Sequence, residues 1–161
     1  MKALLICSLF LLSTTAFSQE IFVIKKSMNP KNVLHYKANV TACKLKSPAV
    51  LPYWIMGEEN GQVEGLTTKE VTYFSPKIAY AKETEADFLI GAMEKMGSKI
   101  PDKSVRVRIE NCKPKAFLEI NGREIQVTEI FVNVNFMMSV KYMIITGLAP
   151  NGLKVTHRID N

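Results

Sequence analysis

Residues 115–159 constrain this chain most, because they read as four strands joined by tight turns. Residues 116–120 and 125–134 flank Asn121-Gly122, a pair that takes the two positive-φ positions of a hairpin turn at little cost. Residues 140–148 and 153–159 flank Pro150-Asn151-Gly152, where proline presets φ and glycine supplies the left-handed position. This succession predicts an antiparallel meander in a β-rich protein. Within it, Ile125 and Val127 share one parity, while Ile130, Val132, Val134 and Phe136 share the other. One extra residue at Thr128-Glu129 lets both halves face the core. The spacing therefore predicts a β-bulge, the bend a long strand needs to pass between sheets or to curl one sheet toward closure.

The upstream chain carries the same period. Leu34, Tyr36, Ala38 and Val40 alternate with Val33, His35, Lys37 and Asn39, a half-buried strand. Val105, Val107 and Ile109 alternate with Arg106, Arg108 and Glu110 in the same way. Residues 21–24 and 49–56 read as further strands, the second ending before a turn at Asn60-Gly61. Tyr53 and Trp54 are adjacent in it, so one faces the core and the other faces the surface or a ligand. Thr67 and Glu70 form a capping box, with Leu66 and Val71 spaced as a hydrophobic staple, and Ser75-Pro76 stops the helix they open. Residues 77–96 allow two readings. Ile78 and Tyr80 suggest a strand, after which Thr84 and Asp87 cap a helix through Met96 that Gly97 ends, or residues 87–93 return as a strand, with local propensity leaning to the helix. The expected fold is all-β: one antiparallel sandwich or flattened barrel of about 8–9 strands over residues 19–161, with one short helix at 67–74.

The first 18 residues read as a secretory signal, with Lys2, an apolar run over 3–12, and small residues in Ala16-Phe17-Ser18. The apolar run of about 10 residues is half the length a membrane span needs. Cleavage after Ser18 gives a mature chain starting at Gln19, periplasmic or secreted and without a transmembrane anchor. Only Lys2 among the 21 basic residues is lost, against 15 acidic ones, so the mature chain is mildly cationic. Its basic residues form no run longer than Lys25-Lys26 and no aromatic-interleaved stripe, which argues against nucleic acid as a partner. Cys43 and Cys112 remain, each just past a strand and on its outward parity. In an oxidising compartment they can form a bridge that costs the core nothing, although two free thiols at strand ends would read the same.

With these segments in order, the chain resembles the bacterial exported family catalogued as domain of unknown function 4833. The resemblance runs through Ile21-Phe22-Val23-Ile24, Asn32-Val33-Leu34-His35-Tyr36, Pro52-Tyr53-Trp54-Ile55-Met56, and Leu66 onward to Glu70 and Tyr73. It continues through Ile120-Asn121-Gly122-Arg123, Glu129-Ile130-Phe131-Val132, and Val140-Lys141-Tyr142 to Arg158-Ile159. It implies a single β-rich domain, favours strand over helix for residues 87–93, and brings no catalytic residues with it. Residues 95–103 form a longer connection than the family pattern has.

The chemistry on offer is sparse. His35 has outward parity, while His157 shares a face with Leu153, Val155 and Ile159. No metal-ligand spacing, glycine-rich phosphate loop or nucleophile elbow occurs, so no metal or cofactor is expected. Met93, Met96, Met137, Met138 and Met143, with Phe131 and Phe136, fill the core or line an adaptable apolar pocket. The residues expected to meet a ligand are His35, Tyr53, Trp54, His157 and Arg158. The reading is an exported, non-enzymatic binding module for a protein partner or a cell-envelope component. Its alternatives are a carrier of an apolar small molecule within the sheets, and a hydrolase using His157 with a carboxylate brought in by folding.

Overall fold

Asn121 and Gly122 take φ values of 53° and 74°, the turn geometry their sequence predicts, and the hairpin they close is one of several that build the protein. The structure, a computed structural model, describes residues 17–94, 104–135 and 139–161. Most of the expected signal, the 95–103 connection with Met96 and Gly97, and Phe136, Met137 and Met138 lie outside the described residues. In chain order the elements are β1 (Phe17–Lys26), β2 (Asn32–Thr41), β3 (Lys44–Met56), β4 (Gln62–Glu64), α1 (Thr68–Phe74), β5 (Pro76–Ala81) and β6 (Glu85–Ile90). They continue as α2 (Gly91–Glu94), β7 (Ser104–Glu110), β8 (Lys113–Ile120), β9 (Arg123–Val134), β10 (Val140–Leu148) and β11 (Lys154–Asp160).

The eleven strands of the described residues belong to one sheet. Its order is β4-β3-β2-β1-β9-β8-β7-β6-β5, with β10 on the other edge of β9 and β11 beyond it. The all-β expectation holds. The expected antiparallel sandwich or flattened barrel of about 8–9 strands is corrected to eleven strands in a mixed sheet curled into a half-barrel. The parallel element is β1 against β9, from Val23 opposite Glu129 to Lys26 opposite Val132. Local periodicity carries no sign of such a pair, because its strands are far apart in sequence. Lys25, whose ammonium lies 2.6 Å from Glu129, is 104 positions away from it.

The predicted bulge is present. Thr146 lies opposite Glu129 and Gly147 opposite Val127, so Thr128 is the extra residue, and its hydroxyl donates to the Thr146 carbonyl at 3.2 Å. The shift of parity leaves Ile125, Val127, Ile130 and Val132 all buried. Gly147 completes the bend, since a Cβ there would overlap the Gln126 carbonyl oxygen. The ambiguous stretch resolves into a strand followed by a single helical turn. Ala86, Phe88 and Ile90 are fully buried, and β6 pairs on both edges, so tertiary pairing overrides the helical propensity of residues 85–90.

The concave side holds the core. Phe22 of β1 stacks on Tyr36 of β2 with ring centroids 4.5 Å apart, and both rings lie near Phe88 of β6, at 6.3 and 6.4 Å. The two arms of the sheet thus meet through three aromatic rings. The Tyr36 hydroxyl, buried and with its pKa pushed well above the ordinary phenol value by that burial, donates to the Phe74 carbonyl at 2.6 Å. That bond ties the end of α1 to the sheet. The helix itself begins as predicted: Thr67 accepts from the Glu70 amide, and the Glu70 carboxylate accepts from Thr67 at 2.9 Å. Val71 stays about half exposed, at 47%, so the expected staple residue is not part of the core. Met93 and Met143 are fully buried, ordinary filling of the described core.

Cys43 and Cys112 form a disulfide. Both are second residues of two-residue turns, Ala42-Cys43 between β2 and β3 and Asn111-Cys112 between β7 and β8, with φ from 49° to 62°. The bridge therefore fastens the tips of two hairpins from opposite arms, holding the curl closed at one end. Closing a loop between residues 69 positions apart contributes about 4 kcal/mol. The left-handed conformation opposes this by about 1–2 kcal/mol per non-glycine residue. Replacing the pair by Cys43→Ala/Cys112→Ala is expected to lower unfolding free energy by about 4 kcal/mol in urea titrations. Cys43→Gly/Cys112→Gly, which lacks the bridge but relieves both turns, should recover about 1 kcal/mol of that loss.

Candidate functional site

Phe22, Ile24 and Lys26 share the inward face of β1, and Lys26 is the last of them, at the mouth of the half-barrel. Its ammonium lies 4.4 Å from the centre of the Trp54 ring and 5.6 Å from that of Phe74, which meet edge to face. Trp54 is held in register opposite Leu34, and Phe74 is the buried end of α1. Two clefts open around this group. One of about 160 Å³ is lined by Lys26, Asn32, Trp54, Met56, Glu64 and Glu70. A more open one of about 640 Å³ runs along α1 past Lys26, Thr67, Glu70, Tyr73 and Phe74.

The electrostatics are unusual for the end of an interior strand. Burial lowers the Lys26 pKa, and the Glu70 carboxylate partly opposes that. No carboxylate among the described residues lies within ion-pair distance of Lys26. The Trp54 indole N–H is buried and has no acceptor among the described residues, an omission that costs about 1–3 kcal/mol. Asn32 is buried too, and its amide oxygen accepts from the Glu58 backbone at 3.4 Å. An ammonium, an indole N–H and a carboxamide thus border one concave, aromatic-walled space.

The residues singled out from sequence divide among three places. Trp54 is the core-facing member of its pair and walls the cleft, while Tyr53 faces outward. There Tyr53 stacks on His35 at 5.4 Å with the Lys37 ammonium 4.9 Å over its ring, and burial, then the Glu20 carboxylate, raise its pKa. His35 contacts Glu20 through Nδ1. His157 and Arg158 lie apart from these on β11, with His157 half-buried and Arg158 exposed over the Tyr142 ring at 3.9 Å. The carboxylate imagined beside His157 stands instead beside His35, and among the described residues no serine, threonine or cysteine hydrogen-bonds to that ring. Lys26 and Glu70 were not singled out as ligand residues from sequence. The signal for Lys26 was its parity, a charged side chain sharing a strand face with Phe22 and Ile24.

The fold and cleft define an all-β domain with a curled mixed sheet and a cation held against aromatic rings at its mouth. The chain matches the family model described as a domain of unknown function (DUF4833) over residues 22–158, and it belongs to that family. No curated protein and no solved structure matches it.

The Lys26 shift has a testable sign. Between its depressed folded pKa and the ordinary value of 10.5, the unfolded chain binds this proton more than the folded chain does, so raising pH through that window favours folding. Thermal melts of wild type and Lys26→Met should show wild type gaining stability relative to the variant from pH 7 to pH 10. A constant difference across that range would contradict the burial of a charged Lys26.

Proposed function

We propose that this protein is an exported, non-enzymatic binding module that takes its ligand, a protein partner or a cell-envelope component, at the Lys26–Trp54 cleft. The observation that carries this reading is the half-buried Lys26 ammonium, held against Trp54 and Phe74 without an ion-pair partner among the described residues. Leaving a charge and an indole N–H partly desolvated lowers stability, and a site that completes them with a ligand gains from both. Surface binding is favoured over carriage of an apolar molecule within the sheets by the filling of the interior with Phe88, Met93 and Met143 and by the charged linings of the clefts. Export is supported by the Cys43–Cys112 bridge, which persists in oxidising compartments.

Trp54 is the only tryptophan in the sequence, so its emission reports the cleft without labelling. Titration with muropeptides, envelope glycans and anionic lipid vesicles is expected to give a saturable change with one of them, lost in Lys26→Met. Emission indifferent to all three, with each bound elsewhere or not at all, would remove the cleft as a site for an envelope component. A partner protein is then sought by cross-linking from Lys26. Export is checked by the intact mass of protein recovered from its own envelope, expected to begin at Gln19 and to be two protons light. A mass beginning at Met1 would exclude the signal.

A further inference from the structure

Three charged side chains line the smaller cleft, Lys26, Glu64 and Glu70, and none has an ion-pair partner among the described residues. They stand apart by sign. Lys26 ends β1 and Asn32 opens the neighbouring β2, whereas Glu64 ends β4 on the far side of β3 and Glu70 lies in the first turn of α1. Each carboxylate has one oxygen engaged, Glu64 by the Gln62 side-chain amide at 3.2 Å and Glu70 by the Thr67 amide and hydroxyl at 2.9 Å. The other oxygen of each accepts nothing among the described residues. Asn32 is only 7% exposed, and its amide oxygen accepts from the Glu58 backbone. Its amide N–H groups, which have no acceptor among the described residues, are left as donors to the cleft it lines.

This division of charge says what the ligand must carry. A ligand with only a carboxylate would meet two like charges, and one with only an ammonium would meet Lys26. A ligand with both groups completes each side at once. We infer that the cleft takes the unblocked end of an amino acid, with its carboxylate at Lys26 and Asn32 and its ammonium at Glu64 and Glu70. The volume of about 160 Å³ is below that of a drug-sized ligand site, so it suits one amino-acid unit rather than a folded segment. Met56, half-buried in the same lining, offers apolar surface to the carbon between the two charges. Such an end occurs on a free amino acid and on a wall peptide whose diamino acid keeps one amino-carboxyl end unlinked. This assignment rests on the cleft as the binding site and adds the two groups its ligand must bear.

The test follows Trp54 emission while the mature chain is titrated with alanine of either hand and with a soluble wall peptide containing diaminopimelate. Each probe is run beside a form with its ammonium acetylated and a form with its carboxylate amidated. At least one unblocked probe should give a saturable change, weakened about tenfold or more by either block. Saturation by alanine identifies a free amino acid, and saturation by the wall peptide alone identifies the peptide end. Glu64→Gln should weaken the unblocked probe about tenfold while leaving the acetylated form no weaker than before. Glu64 belongs to the three-residue edge strand β4, and near-ultraviolet circular dichroism checks that the variant is folded. Blocked forms that bind as tightly as unblocked ones, or a Glu64→Gln protein that binds as wild type does, would overturn the assignment and leave the cleft as the site. Saturation by a glycan or a vesicle but by no unblocked probe would do the same, whereas emission indifferent to every ligand would remove both.

Discussion

A β-strand has two edges, and β9 serves three neighbours with them. Its second edge goes to β10 from Gln126 to Val134, while its first is divided, with Arg123–Gln126 pairing with β8 and Glu129–Val132 pairing with β1. Such a division requires the sheet to part at the junction, and the bulge at Thr128 sits where it parts. Without the extra residue, the halves of β9 on either side would present opposite parities, and Ile130, Val132 and Val134 would turn to solvent when Ile125 and Val127 turned inward. With it, one strand belongs to both arms. The β1–β9 joint is reinforced where the backbone ladder runs out: the Ser27 amide donates to the Val132 carbonyl at 3.0 Å, and its hydroxyl bridges both backbone groups of Val134, at 3.0 Å each.

Curling two arms away from one strand leaves an open half-barrel with two ends to secure, and the ends are secured differently. At one, the disulfide joins the tips of the β2–β3 and β7–β8 hairpins, with the Leu45 amide donating to the Glu83 carbonyl beside it at 2.6 Å. At the other, α1 lies across the mouth. Seven residues of helix are too few to be stable alone, so α1 depends on its capping box, on Phe74 against Trp54, and on the Tyr36 hydroxyl at its last carbonyl. A covalent closure is rigid, whereas a short helix held by one buried side chain and a few hydrogen bonds is among the less stable parts of a fold. The cleft opens at the second end.

The sequence exposed whatever is encoded by a period or a turn, and hid whatever depends on partners distant along the chain. The bulge at Thr128, the turn at Asn121-Gly122 and the Thr67–Glu70 box were each legible because a few consecutive residues specify them. The exposed strand β5 and the three-residue β4 lack an alternating pattern strong enough to give their full pairing away. The parallel β1–β9 pair could not be seen, because β1 alternates no differently beside a parallel neighbour than beside an antiparallel one. Residues 85–90 suited helix and strand alike until β5 and β7 took both their edges. The site divides in the same way. Trp54 stands out as the sole tryptophan, and as neighbours on one strand it and Tyr53 must face opposite sides. Which one faces inward depends on the register with β2. His35 and His157 drew notice because histidines are rare here, yet rarity says nothing of proximity, and the fold leaves them on separate strands with separate partners.

Lys26 shows why the cleft lies where β1 ends. The inward positions of β1 next to Lys26 are the apolar Phe22 and Ile24, because beyond them lies the aromatic stack of Phe22, Tyr36 and Phe88, which no ammonium could enter without losing most of its hydration. One inward position further along, the sheet opens and a lysine stem can lie on aromatic carbon with its head toward water. An apolar residue there would extend the core to the rim at no electrostatic cost, and the sheet would be closed at that end by packing alone. The lysine instead puts a charged head at the mouth, beside the Trp54 and Phe74 rings. With Thr67 and Glu70 it lines both clefts, so the last inward residue of a core strand is part of their common wall.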